Sequence, residues 1–352
     1  MMTPAGVTRG PGIRIGVDLD TLTNPEFDWE TFCQLVARAG VTEVSFLVGC
    51  TAEVQFPWPE HEDRWYMGVS VERDVIAAAI DRLSASDMAP AIALAIDVST
   101  PIGLFGGDEL NGTLADGTLS RRFPSATNLR DGQVGAALIA LCRAASERYH
   151  PSRIILNSLS LEASFDKRDE ALFAEMTGQR SLPRNEAGGV DASDPAVTAW
   201  HAQLLTDLVA ECSAVVAPGT VIDVEMRVNW DEPGADRDDS GHAYAPVLAT
   251  GNAITLRDSF GLNDEPPTYS AQLVDGLAAR FSISERERVA ILIGLWGAPA
   301  GEIRSAISAF DLQIAIEGIR GQVGTIALAP LSILGVDHWR VLVELREGRA
   351  AS

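Results

Sequence analysis

Residues 220–230 read TVIDVEMRVNW, with Asp223, Glu225, Arg227 and Asn229 on every second position and Val224, Met226, Val228 and Trp230 between them. Strict alternation predicts a strand with two unlike faces. The chain around it alternates strands with helices, and parallel strands of that class are usually apolar on both faces. A closed barrel reconciles the two readings. The apolar face packs on surrounding helices, and the polar face lines the lumen.

Working outward, the same alternation of elements recurs along the chain. RIGVDLD (14–20) reads as strand one, and Asp28 then caps a helix ended by Gly40. Strands two to four are VTEVSFLVG (41–49), APAIALAIDVS (89–99) and RIILNSLSLE (153–162). The opening stretch is the fifth, followed by NAITLRDSF (252–260), VAILIGLWG (289–297) and GTIALAPL (324–331). Helical patterns separate them, the last over 337–346; only the fifth helix, around 244–250, is weak. The fold class is therefore α/β, a single (β/α)8 TIM barrel spanning 1–352 as one domain. A doubly wound sheet is disfavoured because no GxGxxG turn follows strand one. Long loops follow strands two, three, four and five (50–70, 100–131, 163–195 and 231–251). All of them fall at the C-terminal mouth, where barrels build their sites.

Composition narrows the function. The 352 residues carry a net charge of −22, which opposes nucleic-acid binding. Apolar runs are too short to span a bilayer, and 1–17 lacks a secretory signal, so the expectation is a cytoplasmic or virion-associated protein, with no membrane partner. Four scattered cysteines form no CxxC pair, and five histidines form no HxH or HExxH, so no metal and no cofactor is expected. Asp236-x-Asp238-x-Ser240-Gly241 copies the start of a calcium loop, but Val247 stands where the twelfth-position Glu belongs.

Parity places Arg14, Glu43, Asp223, Glu225, Arg227 and Arg257 in the lumen as one ionic network, since buried charges persist only when paired. Its deep members, Arg14, Glu43, Asp223 and Glu225, read as barrel filling. Parity also points Ser158, Ser160 and Glu162 of strand four inward. At the strand ends Asp20, Asp97, Glu162, Asn229, Asp231 and Trp296 converge on a mouth. Trp58 and Trp65, in the loop FPWPEHEDRWY (56–66), supply flat rings that stack on sugar faces.

Carboxylates at several strand ends with aromatic neighbours suit glycoside hydrolysis. One carboxyl protonates the leaving oxygen, and an ionised partner acts as nucleophile or base. The chain resembles the glycoside hydrolases built on TIM barrels in layout across nearly its whole length. The resemblance implies an acid/base Glu at the end of strand four, which Glu162 in LNSLSLEASF matches, and an oligo- or polysaccharide substrate. Asp231, or else Asp20 or Asp97, is expected as the second carboxylate, with Asn229 and Arg257 orienting sugar hydroxyls. Two positions depart from family patterns. Ser160 and Ser158 stand where chitinase-like barrels carry acids, and Trp296 stands where the large retaining clan carries its nucleophilic Glu. These departures leave two alternatives open: a non-catalytic recognition barrel in a larger assembly such as a phage tail, and a metal-dependent sugar isomerase or lyase using Glu225.

Overall fold

Local signals start and stop the first long helix where the sequence placed it. Asp28 Oδ1 accepts the amide of Thr31 at 3.0 Å, and Gly40 closes the same helix at φ 69°. A side chain with Cβ is disfavoured at that angle, so glycine is the natural stop. A computed structural model describes residues 11–58, 61, 74–85, 88–100, 109–297 and 305–348. Trp65 and most of the glycine-rich stretch 103–112 lie outside the described residues.

Eight parallel strands close into a barrel: β1 (Gly12–Val17), β2 (Glu43–Cys50), β3 (Ala91–Asp97), β6 (Arg153–Asn157), β7 (Val221–Arg227), β8 (Ala253–Asp258), β9 (Val289–Gly294) and β10 (Thr325–Ala329). β10 pairs back onto β1. The two remaining strands, β4 (Asn111–Thr113) and β5 (Leu119–Pro124), form an antiparallel hairpin inside the loop after β3. The helices are α1 (Leu19–Thr23), α2 (Trp29–Ala39), α3 (Val75–Ser84), α4 (Ala126–Arg130), α5 (Gln133–Tyr149), α6 (Lys167–Thr177), α7 (Pro195–Val215), α8 (Tyr244–Ala249), α9 (Tyr269–Arg280), α10 (Ile283–Arg286), α11 (Ala309–Ile319) and α12 (Val336–Glu347). The six-residue α8 is the short fifth helix that the sequence showed as weak.

The alternation in β7 behaves as read. Val224 and Met226 are fully buried in the main core, while Asp223, Glu225 and Arg227 face the lumen. Burying each such apolar side chain is worth about 1.5–3 kcal/mol, which fixes the strand's orientation, because a one-residue slip would reverse both faces.

At the lower end of the barrel a charged plug fills the lumen. Arg14 Nε meets Glu43 at 2.5 Å and its Nη2 meets Asp223 at 3.2 Å. Arg153 reaches the same two acids at 3.4 and 3.1 Å, and Thr255 donates to Asp223 at 2.8 Å. Glu225, Arg227 and Arg257 stand apart from this plug. The single network expected from parity is thus two tiers, and Arg153 is a member that parity missed.

Two strands end earlier than expected. β1 stops at Val17, and Asp18 caps α1, accepting the Thr21 amide at 3.0 Å. β6 stops at Asn157, and Ser158 turns away at φ 58°. The inward set on that strand is therefore Arg153, Ile155 and Asn157, correcting the expected Ser158, Ser160 and Glu162. Glu162 rides a loop instead of the strand.

Candidate active site

Above the plug the lumen opens into a cavity of about 190 Å³. Arg14 and Thr255 form its floor, and Asp18, Asn157, Glu225 and Pro330 bring it towards the mouth. Its walls are largely small or apolar: Gly16, Leu47, Ala95, Ile155, Ala327 and Ala329.

Glu225 and Asp18 are the carboxyls that line this cavity, and the Glu225 side chain is 11% exposed. Burial pushes its proton affinity up. Arg257, whose Nη1 lies 3.5 Å away, works against the shift, Asp97 adds to it, Arg122 opposes it and Asp223 adds again. A carboxyl that desolvation holds towards its neutral form is a proton donor.

One step further up the same strand, Arg227 meets Glu162 at 2.5 Å. The loop carrying Glu162 is held on both flanks. On one side, Thr113 of the hairpin bridges to Ser164, and the Phe165 amide donates to the Thr113 carbonyl at 3.1 Å. Gly112 permits this approach, since a Cβ there would fall 1.7 Å from the Ala163 carbonyl oxygen. On the other side, the Leu161 amide donates to the Ser240 carbonyl at 3.1 Å. The hairpin also brings Arg122, which donates to Ser158 Oγ at 2.9 Å, and Phe123, whose ring lies 5.3 Å beneath the Arg227 guanidinium.

The remaining expected site residues are distributed unevenly. Asp97 ends β3 in register with Asn157, its Oδ1 accepting the Ser99 amide at 3.0 Å, and it faces the mouth. Arg257 is there too, 46% exposed. Trp296 is half-buried beyond the end of β9, bridged to Ala306. Asn229 uses its Oδ1 on the Asp231 and Glu232 amides and its amide group on the Asp236 carbonyl, so it shapes the loop. Asp231 is exposed on that loop. Asp20, also exposed, borders a separate surface hollow beside Phe27 and Trp339. Trp58 is only 3% exposed and stacks on Phe56, so it anchors its loop and offers no open face.

Sequence reading missed Arg122 and Asn157, and it took Glu225 for barrel filling where the structure sets it in the cavity. Arg122 sits on a hairpin with no distinguishing pattern. Asn157 was displaced by a strand drawn too long. Asp236 of the calcium-like loop is engaged by the Tyr244 amide and by Arg280. Among the described residues no three His, Cys, Asp or Glu side chains converge as a metal-binding set.

No family model matches the chain, and no curated protein matches it in sequence. Solved structures do match in three dimensions. The glycoside hydrolase domain of PgaB (BpsB) from Bordetella bronchiseptica superposes with a TM-score of 0.70 at 12% identity, over 95% of this chain and 98% of that one. The shared fold is the (β/α)8 TIM barrel. The catalytic domain of beta-amylase from Paenibacillus polymyxa gives 0.61 at 11% identity, covering 97% and 99%. Alpha-L-fucosidase isoenzyme 2 from Paenibacillus thiaminolyticus gives 0.61 at 10% identity, covering 96% of this chain and 49% of that one. Identities this low speak to fold, and function is argued from the site.

Proposed function

We propose that the mouth of this barrel binds a saccharide and hydrolyses a glycosidic bond, with Glu225 as proton donor and Glu162 as the second carboxylate. The observation that carries the reading is that Glu225 is desolvated in the cavity and held towards its neutral form, while Glu162 pairs with a guanidinium at the rim. The chemistry requires a proton donor and a second carboxylate. The Glu225 O–H would donate to the leaving oxygen as the bond breaks. Glu162 would stabilise the positive charge developing on the sugar, as nucleophile or by activating water. Asp97 and Asn157, in register at the same mouth, would take sugar hydroxyls. The structures it resembles support a carbohydrate ligand for this chain.

Recognition without cleavage is the second reading. It is favoured by Trp296 lying just past β9, the strand on which the large retaining clan carries its nucleophile. One experiment separates the two. Wild type, Glu225→Gln and Glu162→Gln are screened against a polysaccharide panel with and without chelator, reading released reducing ends. Release that survives chelator and disappears in both variants establishes hydrolysis by this pair. Binding without release moves the reading to recognition, and release abolished by chelator alone moves it to metal-dependent chemistry.

A further inference from the structure

Three arginines converge on the mouth of a chain whose net charge is −22. Arg227 and Arg257 are direct partners across the β7–β8 ladder. Like charges placed opposite each other on one sheet face destabilise it, so this pairing is costly unless an anion relieves it. Arg122 completes the group. It and Arg227 flank the same Phe123 ring at 5.6 and 5.3 Å, and it acts with Arg257 on Glu225.

Compensation within the protein is incomplete. Arg227 is matched by Glu162 at 2.5 Å. Among the described residues Arg257 has only Glu225 at 3.5 Å, an acid that burial drives towards neutrality. Among them Arg122 forms no ion pair, and its guanidinium makes one hydrogen bond, to the Ser158 hydroxyl. Both Arg122 and Arg257 are exposed. Two exposed guanidinium forks that both act on the cavity's Glu225 therefore have donors to spare, and a planar fork matches an oxyanion in a bidentate fashion.

We propose that the saccharide taken by this mouth is anionic, its carboxylate or other oxyanion substituent seated between Arg122 and Arg257. This rests on the saccharide reading above and narrows it. The bound anion would supply the negative charge that the Arg227–Arg257 pairing lacks. It would also set specificity, since a neutral sugar leaves both forks unmatched.

The test is calorimetric titration of the intact protein with three series of probes. These are uronate oligosaccharides, the same oligosaccharides with their carboxyls reduced to alcohols, and sulfated oligosaccharides. Each is measured at low and high salt, for wild type, Arg257→Gln, Arg122→Gln and Arg122→Lys, with melting curves confirming that every variant is folded. The expected result is salt-sensitive binding of an anionic series, weakened about 10- to 100-fold in either Gln variant and less in Arg122→Lys. Which anionic series binds identifies the substituent. Equal binding of reduced and charged oligosaccharides, unaffected by the arginine variants, would overturn the anionic assignment and leave the saccharide reading standing. No binding in any series, with the neutral polysaccharide panel also silent, would overturn both.

Discussion

His242 accepts the backbone N–H of Arg227 through Nδ1 at 2.9 Å and, through Nε2, donates to the Leu159 carbonyl at 2.7 Å. One buried imidazole thus ties the last residue of β7 to the loop that carries Glu162. Tyr244 adds a hydrogen bond to the Arg227 carbonyl at 3.0 Å, so that residue's backbone is fixed at both ends. His242→Phe would leave a buried amide and a buried carbonyl unpaired, at a cost of about 2–4 kcal/mol. Urea denaturation should show that loss, and turnover should fall further than binding because the Glu162–Arg227 pair loses its register.

The same residue predicts an acid limit. Burial lowers the His242 pKa to about 4, and that of His201 to about 3. Between the ordinary histidine value and those figures the unfolded chain takes up protons that the folded chain refuses. Stability should therefore fall as pH drops from about 6.5 towards 4. Thermal melts across that range should show the decline, and His242→Gln should reduce its slope.

For catalysis the sign runs the other way. Glu225 must be protonated to donate, and its elevated pKa places the alkaline limb of the pH–rate profile above the ordinary glutamate range. Arg257→Gln removes a cation that opposes the elevation, so that limb should move to higher pH. Asp97→Asn removes an anion that supports it and should move the limb lower. Profiles of kcat measured on the two variants check both directions.

Asp258 points outward at the end of β8. One of its oxygens accepts from Ser270 at 2.5 Å, and the other, also buried, has no hydrogen-bond partner among the described residues. Burial raises its pKa to about 6. An acid whose folded pKa is raised costs stability as pH climbs from about 4 to 6, and the cost persists above that. Asp258→Asn should therefore stabilise the protein at pH 7.5 by roughly 1–3 kcal/mol, and the gain should vanish near pH 4. Calorimetric melts at the two pH values decide it.

The ionic plug should matter to stability and not to specificity. Arg14→Met leaves Glu43 and Asp223 sharing only Arg153, and breaking a buried charge set in this way costs about 3–5 kcal/mol. Denaturant midpoints should fall, while the preference among substrates in any glycan panel stays unchanged.

The barrel was legible in the sequence because its signals are local. Asp28 and Gly40 bracket α2, and the two-residue period of β7 separates lumen from core without reference to any other strand. Strand ends were harder. Nothing in LNSLSLE marks Ser158 as the residue that turns, since the alternation continues past the point where the ladder stops. That shift moved Glu162 off the strand and hid Asn157. Arg122 was invisible for a different reason: it reaches the mouth from a hairpin whose seating depends on Gly112 passing the Ala163 carbonyl, a contact between segments 51 residues apart. Trp58 failed through burial, since a sequence shows that an aromatic residue is present and not which way its ring faces.

The interior layers of such barrels are ordinarily filled by branched side chains. Here Ala95, Ala327 and Ala329 keep the upper layer hollow, while Gly16 must stay small because a methyl group there would clash with the Ala329 methyl at 2.9 Å. The molecule is thus built below its attainable robustness at one chosen place. Laboratory selection for heat resistance would find these three alanines among the easiest to enlarge, and each success would close the vestibule that a ligand must enter. Hardiness and access compete here for the same few cubic ångströms, and a variant's melting point would be a poor guide to whether it still works.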